Sequence, residues 1–452
     1  MRVVLHHRAL WTGTATAVLL AALAIGRLGA QERAIVIRAD RLYTVTRGTL
    51  EHATVVVQGG RITAVGTDVA VPPGAEEHRA AVVMPGMIDA HTHMSLRRIR
   101  SGAGGPVTAE WKAVEHLVTD DPIIPIAVSG GLTTVITRPG SSIVSSGQAV
   151  AMKLRGPGKG PRVIKPYVDL KMAIRPLVDL RPGESPATVM GWYAIASDHF
   201  RRAQDYVAAQ RAFAAGTRAQ APARDERLEA FAAVLRGEVM VHVHSHYPSE
   251  ITTVLDLARE FGFLQQLAFG HASESYPVAT EMARATDGKA VAVIGPVFIV
   301  KFHGDERPHN IIKELMAAGV PASVQTDKGD EQLRSFREYG AMLVRHGLSE
   351  QQAIEALTIN GAKAMMLADQ VGSLEVGKDA DMVLLDGPPF DLQTDRVEKV
   401  FVDGVIEYAR TAPLQTATPT EVGPFTRLGA LPTADERRFA LTNATLFTVS
   451  HG

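Results

Sequence analysis

From residue 34 onward, apolar and polar side chains alternate in short runs: Ala34–Ile37, then Ala53–Val57, then Arg61–Val65 after the turn residues Gln58-Gly59-Gly60. Successive side chains point to opposite faces of a strand, so these runs predict half-buried β-strands joined by tight turns. The same pattern returns at Asp381–Leu385 and across Val397–Tyr408. The two sequence-distant segments, residues 31–84 and 372–410, are expected to pair in a small β-sandwich. Between them, short apolar runs alternate with helical patterns. The runs are Val83–Met87 leading to His93, Val239–His246, Leu267–His271 and Val320–Asp327. Helical stretches include Ile251–Phe261 and Ser349–Asn360, the latter opening with Ser349 and Gln352 in capping-box positions. Strands alternating with helices over residues 85–371 predict an α/β fold with a (β/α)8 TIM-like barrel, whose site lies at the carboxyl ends of its strands.

Those carboxyl ends carry the polar residues. His91 and His93 close the run Val83-Met84-Pro85-Gly86-Met87-Ile88-Asp89-Ala90-His91-Thr92-His93. At i and i+2 on a strand both imidazoles face the same side, a spacing that lets them grip one metal ion. A bare His-x-His is common by chance, so the surrounding residues decide its weight. His242, His244 and His246 repeat the spacing, His271 ends the next short run, and Asp327 ends a further one. Cysteine is absent, so no disulfide, thiolate nucleophile or sulfur ligand is available and a metal site must be built from His, Asp, Glu or Lys.

On these residues the chain resembles the metal-dependent amidohydrolase superfamily, in particular its imidazolonepropionase-like and prolidase-like members. The resemblance is carried by Pro85 to His93, Gly131-Leu132-Thr133-Thr134-Val135, Thr326-Asp327, Thr358-Ile359-Asn360-Gly361-Ala362-Lys363 and Gly372 to Val383, and it covers residues 34–410. It implies a metallo-hydrolase barrel with His91 and His93 as ligands. Matching Val243 to Ile251 to the family pattern selects His244 as the strand-five ligand, with His242 one pleat deeper and His246 one pleat nearer the mouth. A shifted register would choose another of the three. His271 resembles the strand-six histidine and Asp327 the strand-eight aspartate, while Asp330 is the better N-cap for the helix that follows. Lys171 stands where related enzymes carry a carboxylated lysine bridging two metals; the other reading is a lysine that binds substrate or pairs with Asp169. Close relatives carry Gly-Glu-Asn shortly after this lysine, whereas this chain has Ile174-Arg175-Pro176, so local substrate contacts differ. Lys301, Arg307 and Lys328 are candidates to hold a substrate carboxylate, against a reading as solvated surface charge.

The implied activity is metal-dependent hydrolysis of a C–N bond, an amide in a short peptide or a cyclic amide, with one or two divalent ions such as Zn²⁺. Asp327 is expected to shuttle the proton, and His271 to bind a metal or the carbonyl oxygen. The alternatives are a deaminase of the same superfamily acting on an amidine carbon, and a non-catalytic exported barrel that binds a ligand. A net charge of −1, from 47 Lys plus Arg against 48 Asp plus Glu, gives no electrostatic reason to expect nucleic acid or an anionic surface as partner. The expected partner is a small molecule or short peptide, and a homo-oligomer is compatible with this.

The ends read differently. Arg2, His6, His7 and Arg8 precede the apolar stretch Ala15–Ile25 and the segment Leu28-Gly29-Ala30, a secretory signal over residues 1–30 that places the enzyme in the periplasm or outside the cell. Cleavage after Ala24 and an uncleaved anchor are the competing readings, although the apolar run is shorter than the ~20 residues that span a bilayer. Residues 411–452 combine a Pro-rich linker with a strand-like tail, Leu441 to Gly452, that echoes Ile37 to Gly48 in register. An ordinary edge strand or the first strand of a second unit both fit that echo.

Overall fold

The computed structural model describes residues 33–96, 105–174, 186, 188–300, 308–391 and 396–411. The expected signal, Arg175-Pro176, Lys301, Arg307 and the tail from residue 412 lie outside them.

Four strands open the fold: β1 (Ile35–Tyr43), β2 (Thr49–Gln58), β3 (Arg61–Gly66) and β4 (Glu76–Pro85). Next come β5 (Met87–Thr92), β6 (Leu132–Thr137), β7 (Ser145–Gln148), β8 (Val150–Lys153), β9 (Arg162–Lys165) and β10 (Asp169–Ala173). They are followed by β11 (Met240–Ser245), β12 (Leu267–His271), β13 (Val291–Ile294), the short pair β14 (Ile299–Val300) and β15 (His309–Asn310), and β16 (Ala322–Val324). The last three are β17 (Met382–Leu385), β18 (Val397–Val402) and β19 (Val405–Ala409).

The two terminal β segments do pair, but in one seven-stranded sheet of order β19-β18-β17-β4-β1-β2-β3 rather than in two stacked sheets. That sheet curls over its own core. Val55, Val57 and Ile62 from one end share a buried cluster with Met382, Leu384 and Phe401 from the other. The closing contacts are backbone hydrogen bonds, Ala380 N to Gly60 O at 2.9 Å and Ile62 N to Lys378 O at 2.9 Å. Gly60 is required there, because a Cβ would lie 2.8 Å from the Asp403 carbonyl oxygen and its φ is +74°.

The other half contains a six-stranded sheet, β16-β13-β12-β11-β10-β7, and a four-stranded sheet, β5-β6-β8-β9. Strands β10 to β13 and β16 run parallel, as do β5 and β6, and all their residues are buried except the half-buried His244. Strands with both faces covered read as near-continuous apolar runs, which is how these look in sequence. The expected strict βα alternation fails at β7 to β9, where the pairings β10–β7, β6–β8 and β8–β9 are antiparallel. Only Ala149 separates β7 from β8, so this segment joins β6 on one side to β10 on the other. On the opposite side β5 meets the segment after β16 through Asp327 N to His91 O at 3.0 Å and His93 N to Lys328 O at 2.8 Å. Lys153 on β8 ties this half to the curled sheet, its buried ammonium lying 2.5 Å from Asp379, 2.9 Å from Asp381 and 2.5 Å from Asp403.

The predicted helices form close to their expected bounds. Pro248–Phe261 includes Ile251–Phe261, and Ser349 caps Glu350–Leu357 with the reciprocal Ser349/Gln352 box in place. Thr358 ends that helix early: its hydroxyl donates to the Ile354 carbonyl at 2.6 Å, and a second helix, Ile359–Ala364, starts behind it. Among the described residues no helix is long and apolar enough to cross a membrane.

Candidate metal centre

His91 sits on β5 with its ring wholly buried, and His93 follows directly after the strand, half-buried. As expected from their spacing, both face Asp327: the His93 Nε2 lies 3.2 Å and the His91 Nε2 3.6 Å from Asp327 Oδ1. His271 ends β12 and brings its Nε2 to 4.0 Å from Asp327 Oδ2. Ligand atoms of His91, His271 and Asp327 all fall within 4.8 Å of one another. His271 and Asp327 both adopt left-handed backbone, φ +62° and +57°, uncommon for residues with a Cβ and a recurrent feature of functional sites.

Each imidazole is turned the same way by a partner on its far side. The Nδ1 of His91 donates to Gln325 Oε1 at 3.0 Å, that of His93 to the Arg138 carbonyl at 2.8 Å, and that of His271 to the Gly295 carbonyl at 2.8 Å. A neutral imidazole that donates from Nδ1 keeps a lone pair on Nε2. Three such lone pairs therefore converge on one carboxylate, an arrangement that repels itself unless a proton or a metal cation lies between. Outer partners of this kind are what orient metal-binding histidines.

The buried atoms left without a protein partner tell the same story. They include His91 Nε2, His271 Nε2, His244 Nδ1, both ring nitrogens of His242 and the Lys171 Nζ. Buried polar groups are normally satisfied, so this cluster of orphans fits a site that receives a metal and its accompanying ligands.

Electrostatics favour the metal-binding forms. Burial first, with the charges of Lys171 and Arg138 adding to it, holds His91 and His242 well below the ordinary histidine pKa. Burial, then Lys171, does the same for His244, and burial leads in taking His271 down to about 4. For Asp327 burial works upward, but the hydrogen bond with His93 and the charges of His271 and Lys171 outweigh it, so its carboxyl stays below the usual range.

Lys171 on β10 is fully buried. The expected alternative, a pair with Asp169, is not formed: Asp169 takes Arg138 instead, Nη2 to Oδ2 at 2.6 Å, and both are wholly buried. Burial and the Arg138 guanidinium lower the Lys171 pKa to about 7. Strand β11 and the residue after it place His242, His244 and His246 near the site. His242 is in register with Lys171 on β10, and His244 with Ala173. The His242 ring meets His91 edge-on at 4.8 Å, and Gly270 makes room for it, since a Cβ there would lie 2.3 Å from His242 Nε2. The His244 ring lies 4.2 Å from that of His271, while its Nε2 is 3.0 Å from the Nε2 of His246. Asp330 caps the 3₁₀ turn after Asp327, accepting from Gln332 N at 3.1 Å, which leaves Asp327 to the site.

Three residues that organise the centre were not singled out from sequence. Asp89 accepts from the His91 amide at 3.0 Å and from the Thr326 hydroxyl at 2.5 Å, so one buried carboxylate fixes both ligand-bearing segments. Gln325 orients His91 and donates to the Gly295 carbonyl at 2.8 Å. Arg138 donates to the Ala90 carbonyl as well as to Asp169. Asp89 stands inside the quoted motif, and a buried acid two residues before a ligand was the available signal; Gln325 and Arg138 had none.

Comparison with known proteins agrees with this geometry. Residues 306–406 match the Amidohydrolase family. The chain is 24% identical over 357 residues to the amidohydrolase tasK of Hapsidospora irregularis, a match covering 72% of this chain and 36% of that protein, so it spans about a third of the relative's length. It is 24% identical over 394 residues to the imidazolonepropionase of Bacteroides fragilis, covering 76% of this chain and 87% of that enzyme. The structure of an amidohydrolase from Thermotoga maritima superposes with a TM-score of 0.72 at 28% identity, covering 83% of this chain and all of the other. Together with the cluster of His91, His271 and Asp327, these likenesses support the metal-dependent amidohydrolase superfamily, with imidazolonepropionases among the proteins that this chain is similar to over most of its length.

Proposed function

We propose that the protein is an exported hydrolase that uses a divalent metal, Zn²⁺ or a pair of metals, to cleave an amide bond in a short peptide or a cyclic amide. The observation that carries this reading is the convergence of the partnerless Nε2 atoms of His91 and His271 on Asp327, within 4.8 Å. The hydrogen bonds that join the two catalytic sheets at both sides support a distorted (β/α)8 barrel, with one of its strands, β7 and β8 together, running antiparallel. The basic start and apolar stretch of residues 1–30 support export.

His91, His93, His271 and Asp327 would hold the metal, with His244 from β11 and, if carboxylated, Lys171. A bound metal supplies Lewis acidity, polarising the substrate carbonyl and lowering the pKa of water toward about 7. Asp327, kept ionised by its neighbours, takes a proton from the attacking water and delivers it to the leaving nitrogen. Lys171 at a pKa of about 7 has a substantial neutral fraction at neutral pH, the form that combines with carbon dioxide to give a carbamate.

Metal analysis of the purified chain, coupled to a screen of dipeptides and lactams, tests the reading. Stoichiometric metal with release of an amino acid, or of a ring-opened acid, supports it. Release of ammonia from amidines alone would move the enzyme to the deaminases, and a chain that binds no divalent metal would remove the reading altogether.

A further inference from the structure

His242 is the histidine of β11 to which the family resemblance gives no task. It lies one pleat below His244, on the same face of the strand, and is wholly buried. A strand covered on both faces normally carries apolar side chains at such a position, and an imidazole there is costly unless its polar atoms are used. The fold nonetheless makes room for it. Gly270 on β12 has no side chain, and a Cβ there would collide with the His242 ring. On its other side the ring meets that of His91 edge-on, centroids 4.8 Å apart, so it is held from two directions.

Both ring nitrogens of His242 lack a partner. The neutral ring carries a hydrogen on one of them and the charged ring on both, so in every form a buried N–H goes without an acceptor among the described residues. Lys171, the residue in register with it on β10, is in the same situation: wholly buried, with an Nζ that has no partner. Residues paired across parallel strands project from the same face, so the two unused donors are neighbours. Asp169 does not serve them, being held by Arg138, Nη2 to Oδ2 at 2.6 Å. Buried donors side by side without an acceptor mark the place of a group rich in lone pairs.

A carbamate on Lys171 turns one of the two donors into that acceptor. Nζ attacks the carbon of carbon dioxide, a C–N bond forms, one C–O bonding pair moves onto oxygen, and a proton leaves the nitrogen for solvent. By the bond lengths of an amide the new oxygens lie about 2.3 Å from Nζ, and they are anionic, so they accept strongly. We propose that His242 is a positioning residue for Lys171: its N–H donates to an oxygen of the carbamate formed there and fixes that group against β11. The inference rests on the carbamate reading of Lys171 above and adds to it the residue that holds the anion.

The test uses the full chain loaded with Zn²⁺ and equilibrated with ¹³C-labelled bicarbonate at several concentrations, the carbamate carbon being read by ¹³C NMR. The parent is expected to show one carbamate per chain. His242→Leu keeps the bulk but has no N–H, and should need at least about 10-fold more bicarbonate for the same signal, the size of a hydrogen bond to a charged group. His242→Gln restores a donor and should bring occupancy back to within a few fold of the parent. If His242→Leu does not fold, His242→Ala removes the N–H without crowding Gly270 and is read in the same way. Equal occupancy in the parent and the donor-less variant would overturn the proposal and leave ordered water as the partner of His242. Equal loss in His242→Gln and His242→Leu would also overturn it, by showing that the shape of the ring matters and its N–H does not. A parent that binds Zn²⁺ but shows no carbamate carbon rejects the carbamate and the role of His242 with it, while the metal-dependent reading stands; a parent that binds no Zn²⁺ rejects that reading as well.

Discussion

Arg138, at the end of β6, closes a wholly buried ion pair with Asp169, the first residue of β10, Nη2 to Oδ2 at 2.6 Å. The pair takes from Lys171 the carboxylate nearest to it in sequence and sets a guanidinium beside its ammonium, so the lysine faces the metal centre without a counter-ion of its own. The same arginine offers its backbone carbonyl to His93. Arg138→Gln removes one partner of a buried pair and strands Asp169. We expect a loss of about 3–5 kcal/mol of stability, measured by denaturant unfolding of the metal-free protein. A loss under about 1 kcal/mol would show that Asp169 finds another partner or is protonated at little cost.

His91→Ala and His93→Ala each delete a proposed ligand whose orientation the fold has already arranged through Gln325 and Arg138. Both variants are expected to lose bound metal and hydrolysis while keeping far-ultraviolet circular dichroism close to that of the parent. Full metal content and activity in both would place the centre elsewhere.

Asp327→Asn preserves shape but removes the basic oxygen. Turnover should fall at least about 10²-fold, the low end for general acid–base catalysis, in metal-reconstituted enzyme. Turnover within a few fold of the parent would mean that another group moves the proton.

Lys171→Ala tests the carbamate directly. If Lys171 bridges two metals as a carbamate, short-chain carboxylic acids added to the variant should restore part of its activity by supplying the missing anionic oxygens. Fully active parent enzyme with one metal per chain would leave Lys171 as a substrate contact.

The buried histidines also set a pH dependence. Their folded pKa values lie below the ordinary 6.5, that of His271 at about 4, so between these values the unfolded chain binds more protons than the folded one. The metal-free protein should therefore lose stability as pH falls from about 6.5 toward 4 and show no contribution from these groups above that window. Metal, held by neutral imidazoles, should stay bound at pH 5.5. Urea midpoints across the range check the first point, and metal retained after gel filtration checks the second; metal loss already complete at pH 6 would contradict the burial that causes the shift.

What the chain alone determined is local. The period of two along a strand put His91 and His93 on one face, and His242, His244 and His246 on another, whatever the rest of the fold did. The Ser349/Gln352 box and the Asp330 cap involve neighbours within three residues and formed as read. What only the tertiary structure decided depends on groups far apart in sequence. Asp89 meets Thr326 across 237 residues, His91 meets Gln325 across 234, and Arg138 takes Asp169 across 31. No periodicity encodes such pairs, because buried donors and acceptors are matched by whichever strands pack together. The terminal strands close one curled sheet instead of stacking two for the same reason: β3 meets the segment before β17, Ile62 N to Lys378 O, only once the apolar faces of β2 and β17 share a core. The left-handed backbone of His271 and Asp327 is likewise invisible in sequence, since its cost is borne by the hydrogen bonds and packing that converge on the metal centre.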